Sequence, residues 1–178
     1  MDDLSSPTGR EPALQAVPRD DGTAPRALVL GGTGYIGGRL VPRLLAAGYR
    51  VRVLARDARR VVAFPWGGEV EIVEGTATDT EALAEAADDV DVLYYLIHSM
   101  GAGRDFEDAD RRAARAVVEA AERTGVVRIV YLGGLHPEDA DLSPHLRSRV
   151  EVGEVFLDST VPALVLQAGV EVDGLALG

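Results

Sequence analysis

From residue 26 onward, short apolar runs alternate with stretches in which apolar residues recur every three or four positions. The first run, residues 27–30, reads Ala-Leu-Val-Leu and stops at a glycine cluster. Four apolar residues closed by glycine predict a buried strand. Residues 35–47 then follow a helical pattern that ends at Gly48. Pro42 inside this helix removes one backbone hydrogen bond and predicts a local bend. Val51, Val53 and Ala55 alternate with arginines and predict a second strand over 50–55. Further strands are expected at 70–73, 91–96, 127–132 and 163–167. Helices are expected from 79 or 80 to 87, then at 105–124 and 143–158. In the second of these, Ala109, Ala113, Ala116, Val117 and Ala120 recur at helical spacing. Ser143 is placed to cap the third, with Pro144 at its first position. A stretch with Arg56, Arg59 and Arg60 follows residue 55, and then a piece holding Pro65, Trp66 and two glycines reads as irregular.

Strands that alternate with helices predict a parallel sheet with right-handed crossovers. The fold class is therefore α/β, a doubly wound parallel sheet of the Rossmann type. Its expected strand order is 3-2-1-4-5-6, with a ligand crevice at the carboxyl ends of strands 1 and 4. Residues 1–24 are rich in Pro, Asp, Ser, Thr and Gly without a sustained period, and are expected to form a disordered tail. Residues 25–178 form one domain in this reading.

The junction of the first strand and helix carries chemistry. It reads Gly31-Gly32-Thr33-Gly34-Tyr35-Ile36-Gly37. Gly31 permits a tight turn, Gly34 lets backbone approach a phosphate, and Gly37 lets helix and strand pack closely. The helix start offers unpaired N–H groups to a pyrophosphate. Strand, glycine loop, helix and strand within about 30 residues point to a dinucleotide. NAD-selective sites place an acidic residue after the second strand; here Arg56 stands there, with Arg59 and Arg60 nearby. A guanidinium suits a 2′-phosphate, so NADP is favoured, with NAD as the alternative. After the fourth strand come Leu96, Ile97 and His98, placed beside the nucleotide, and His98 is a candidate hydrogen-bond donor or acid–base group, or a loop histidine with a structural hydrogen bond. After the fifth strand, Gly133 and Gly134 either admit a substrate or form a turn. Trp66 with Phe64 reads as a lid or a loop anchor.

Composition narrows the functions. Net charge is −11, which disfavours nucleic acid and anionic lipid as partners. No cysteine is present, and the three histidines lack ligand spacing, so no metal site is expected. No apolar stretch reaches the roughly 18 residues of a membrane span, and the start does not read as a secretory signal, so a cytoplasmic location is expected. All 18 basic residues are arginine, which excludes a Schiff base, a lysine base and a phosphate-loop lysine. The acidic groups Asp88-Asp89-Asp91 and Glu107-Asp108-Asp110 read as solvated faces. The alanine-rich helix around residues 113–121 is open to a homo-oligomeric contact or to internal packing.

With these residues in place, the chain resembles the short-chain dehydrogenase/reductase superfamily, in its atypical NmrA-like branch. The glycine motif carries the likeness, with Arg56, the 73–79 segment, the Tyr131-Leu132-Gly133-Gly134-Leu135 strand end and residues 166–170. The resemblance implies NAD(P) bound by Gly31, Thr33, Gly34, Tyr35, Ile36 and Gly37. It places Arg56 near the adenosine ribose, Thr76 and Ala77 near adenine, and Leu96 and His98 along the nucleotide. Thr76 stands where relatives commonly carry Asp. The catalytic Tyr-x-x-x-Lys pair of typical members aligns with His145 and Arg149, which are therefore the catalytic candidates. Arginine cannot relay protons at neutral pH, so the usual mechanism does not carry over. Members usually continue for another hundred or so residues that shape the substrate pocket, so the C-terminal substrate region is expected to be missing or truncated. Two functions remain open: an NADP(H)-linked oxidoreductase acting on an unidentified small molecule, or a non-catalytic dinucleotide-binding sensor or remnant.

Overall fold

The computed structural model describes residues 15–97, 104–135 and 142–168. In chain order the elements are β1 (Arg26–Leu30), α1 (Tyr35–Ala46), β2 (Arg50–Ala55), α2 (Ala58–Val62), β3 (Glu71–Glu74) and α3 (Thr80–Ala87). They continue with β4 (Val92–Tyr95), α4 (Arg104–Thr124), β5 (Arg128–Gly134), α5 (Pro144–Leu157) and β6 (Ala163–Ala168). All strand pairs are parallel, and the sheet runs β3-β2-β1-β4-β5-β6. This is the expected doubly wound order.

The sheet divides two cores. Ala27 and Val29 of β1, with Val51 and Val53 of β2, pack against Val41 and Leu44 of α1 and Val61 of α2. Leu28, Leu30, Leu93 and Ile129 face the other way, onto Leu83 of α3, Val117 of α4 and Phe156 of α5. β1 is buried along its whole length, so past Arg26 both of its faces are apolar and residues 27–30 read as an unbroken run. Three rings lock the second core. Tyr95, Tyr131 and Phe156 lie with centroids 5.0–5.8 Å apart at angles of 51–63°. Such pairs contribute about 0.5–1.5 kcal/mol each beyond area burial. Burial pushes the Tyr131 phenol up to about 12 and raises Tyr95 further, so both stay protonated near neutrality.

Several local expectations are corrected. The arginine stretch after β2, for which no element was expected, forms α2, whose start is capped by the Asp57 carboxylate. Trp66 is an anchor: it is buried, its indole N–H donates to the Gly38 carbonyl at 3.3 Å, and Phe64 stacks on it at 4.7 Å. Gly133 and Gly134 lie within β5, and a Cβ on Gly134 would meet Leu146 and Arg149 of α5 at 2.9 and 3.2 Å. The second glycine therefore seats a helix. Asp89 and Asp91 are not simply solvated. Arg19 donates to Asp91 at 2.8 Å and to Asp89 at 2.6 Å, and Arg26 of β1 joins Asp89 to Glu71 of β3. Through Arg19, and through a bond from the Ala16 amide to the Ala47 carbonyl, the segment 15–24, expected to be disordered, is held against the domain. Among the described residues no helix is long and apolar enough to cross a membrane.

Candidate nucleotide site

A cavity of about 530 Å³ opens at the carboxyl ends of β1 to β4, within the usual range for small-molecule pockets. Its floor starts where β1 runs into the glycine loop. Gly31 has φ +93°, a left-handed conformation that lets the chain leave the sheet at once. A Cβ on Gly37 would collide with the Gly31 carbonyl oxygen and approach Gly32 Cα at 2.6 Å, so glycine there brings α1 down onto the loop. Gly34 is the N-cap, no side chain caps the helix, and its first turn holds no acidic residue. The leading N–H groups of α1 are thus left for an anion, with the positive dipole end behind them. Tyr35 and Ile36 belong to this first turn, but their side chains are exposed, and the Arg39 guanidinium lies 3.6 Å from the Tyr35 ring centroid. What they offer the loop is backbone.

Of the expected cofactor residues, Gly31, Thr33, Arg56, Thr76 and Ala77 line the cavity. The Thr76 hydroxyl is 3.1 Å from that of Thr78 and accepts from the Thr78 amide at 3.4 Å, which folds the turn after β3 back toward α3. Leu96 packs with the core on the α1 side, and its backbone closes on Gly31. His98 lies outside the described residues. His145 is half-buried on α5 and does not line the cavity. Arg149 lines a separate cleft of about 140 Å³ beside Gly133 and Gln167. The two catalytic candidates and the glycine loop are therefore not gathered in one pocket. Among the described residues no cluster could hold a metal ion.

Ile97, expected beside the nucleotide, lines the cavity, and two further contributors join it: Tyr95 at the end of β4 and Asp110 of α4. Asp110 is 8% exposed and accepts from the Ser148 hydroxyl at 3.2 Å. The expectation of a solvated carboxylate fails at this position. The signal was present: Asp110 precedes Ala113 by three residues and Val117 by seven, which puts it on the buried stripe of α4. The rim at β2 carries Arg56 and Arg60, whose guanidinium groups make no hydrogen bond or ion pair among the described residues.

A pocket with an uncapped helix start, a left-handed glycine and arginines at the next strand fits a dinucleotide. Comparison with known proteins agrees. Residues 31–160 match the protein family described as NAD(P)H-binding. The chain belongs to the NAD(P)H-binding family. This accords with the resemblance to atypical short-chain dehydrogenase/reductases. A 3 beta-hydroxysteroid dehydrogenase/Delta 5-->4-isomerase of Mycobacterium tuberculosis is 34% identical over 117 residues, covering 60% of this chain and 30% of that protein. NADH dehydrogenase [ubiquinone] 1 alpha subcomplex subunit 9 of Mus musculus is 28% identical over 146 residues, covering 79% and 38%. In solved structures, the Bordetella bronchiseptica enzyme WbmG in complex with NAD superposes with a TM-score of 0.68 at 23% identity, covering 83% of this chain and 54% of that one. Citrobacter sp. triphenylmethane reductase complexed with NADP(H) gives 0.68 at 22% identity, covering 83% and 50%. These two likenesses establish the shared fold. The alignments span 30% of the mycobacterial relative and about half of each solved chain.

Proposed function

We propose that this domain binds NADP(H) in preference to NAD(H), as the nucleotide-binding part of an oxidoreductase. The observation that carries the preference is the β2 rim, where Arg56 and Arg60 line the cavity and their guanidinium groups make no hydrogen bond or ion pair among the described residues. Two such guanidinium groups match a 2′-phosphate, which a ribose hydroxyl would not repay. The pyrophosphate lies on the start of α1 in this reading, and Ala77 and Thr76 flank adenine. When bound, the cofactor supplies a hydride donor or acceptor; the chain's own residues bind and orient it. The relatives named above include dehydrogenases and a reductase, which supports a redox role for the whole protein.

A second reading keeps binding without turnover. It is favoured by the separation of His145 and Arg149 from the main cavity and by the lack of any lysine. Thermal shift with NADPH and NADH at equal concentration tests the first reading. NADPH should raise Tm more than NADH, and Arg56→Ala with Arg60→Ala should erase the difference. Equal shifts in the unaltered chain would remove the NADP assignment.

A further inference from the structure

The arginine-rich rim of the cavity also contains a carboxylate, Asp57, which directly follows Arg56 and lines the cavity. A free carboxylate at the end of the second strand accepts from a ribose 2′-hydroxyl and repels a 2′-phosphate. Asp57 is not free. Its Oδ1 accepts from the Arg59 amide at 3.0 Å and from the Arg59 Nε at 2.9 Å, and its Oδ2 accepts from Nη2 at 2.8 Å. Both oxygens are engaged by a single residue in a fork that suits carboxylates. Arg59 itself is 91% exposed and does not line the cavity, so it reaches Asp57 from outside. Arg56 and Arg60 remain turned to the cavity without such a partner among the described residues.

We propose that Arg59 is a positioning residue for cofactor specificity: by occupying and neutralising Asp57 it leaves the rim acceptable to a 2′-phosphate and withholds the acceptor that a ribose 2′-hydroxyl needs. The proposal rests on the reading that this cavity takes NADP(H). Arg59 acts through Asp57 and has no contact of its own with the ligand. The Asp57 carboxyl, hydrogen-bonded by Arg59, is held below the usual carboxylate range and so stays charged near neutrality. Without the Arg59 side chain, the carboxylate keeps the amide of residue 59 and the nearby Arg60 charge, but its Oδ2 loses its bond and its negative charge is less offset in the rim.

The test is a double-mutant cycle on equilibrium binding of NADPH and NADH, measured by calorimetry at one fixed ionic strength. Arg59→Ala should weaken NADPH ~10-fold and tighten NADH ~2-fold or more, a change of specificity of about 1.8 kcal/mol at 1.4 kcal/mol per decade. Asp57→Asn keeps a side chain able to cap α2, so this background retains the local fold. In that background Arg59→Ala should change either affinity by less than ~2-fold, because no charge remains to be uncovered. An equal loss of NADPH affinity in both backgrounds would make Arg59 a direct phosphate ligand and overturn the proposal, while the preference of the unaltered chain for NADPH stands. If the unaltered chain binds NADH as tightly as NADPH, the NADP reading itself fails and the role of Arg59 falls with it.

Discussion

Replacement of Gly37 by alanine tests how the phosphate-facing end of α1 is built. The added methyl would collide with the Gly31 carbonyl oxygen, and would lie 2.6 Å from Gly32 Cα and 2.9 Å from the Gly31 carbonyl carbon. All three are backbone atoms of the loop, so no rotamer change relieves them. Restoring ordinary contact requires the helix start to lift by about 1 Å. Overpacking of this kind costs about 1–3 kcal/mol. At about 2–4 °C per kcal/mol for a domain of this size, Tm should fall by roughly 2–12 °C. The lift also draws the leading N–H groups away from the ligand. Loss of one charge-assisted hydrogen bond costs about 1.5–3 kcal/mol, so NADPH affinity should drop by about 10- to 100-fold. Gly68→Ala is the matched control: a Cβ there meets nothing within 4 Å. It should stay within about 0.5 kcal/mol of the unaltered chain. Urea denaturation with NADPH titration reads both quantities. A Gly37→Ala protein as stable and as tight-binding as Gly68→Ala would refute the account of the loop.

Further expectations concern the rest of the frame. Ser148→Ala removes one hydrogen bond to the buried, charged Asp110 carboxylate and should cost about 1.5–3 kcal/mol by denaturant unfolding; a change under a few tenths would show that the bond carries no weight. Arg19→Ala should alter the acid side of the stability curve. The hydrogen bond from Arg19 is the main cause holding the Asp89 carboxyl below the usual carboxylate range. A depressed folded value gives stability that is present above the unfolded value near ~3.9 and is lost as pH falls through the folded one. Without Arg19 the loss below roughly pH 4 should shrink, and parallel curves for both proteins between pH 7 and 2 would contradict it.

The sheet was legible because its signals are local and repeated. Four-residue apolar runs and glycine stops place strands, and the crossover rule then orders them. α2 escaped because five residues, three of them Arg59, Arg60 and Ala58, show no periodicity, and its one signal is the cap at Asp57. Arg19 was read with the tail because composition, not partners, decides such readings, and Asp89 and Asp91 lie about 70 residues away in sequence. Asp110 stands among charges that suggest water, although its position on the helical stripe points inward. In the site, the glycine loop and Arg56 were visible as spacing and as a strand end. The pairing of Asp57 by Arg59 was not, since either of two neighbouring arginines could have taken that carboxylate. The separation of His145 and Arg149 from the cavity depends on how α5 seats on Gly134, which is a tertiary matter.

β6 carries a consequence for the behaviour of the chain in solution. Among the described residues it is an edge strand, and Leu164 and Leu166 on one of its faces are 48% and 45% exposed, in register with Val130 and Leu132 of β5. An open edge with an apolar face is a template for intermolecular pairing. What opposes that pairing is charge: at −11, molecules repel one another before their edges meet. The Debye length shortens from about 30 Å at 0.01 M salt to about 10 Å at 0.1 M, so this protection is lent by the buffer as much as by the protein. Colloidal stability of the domain is therefore a property of ionic strength, with dilute salt favouring single molecules and concentrated salt favouring clusters.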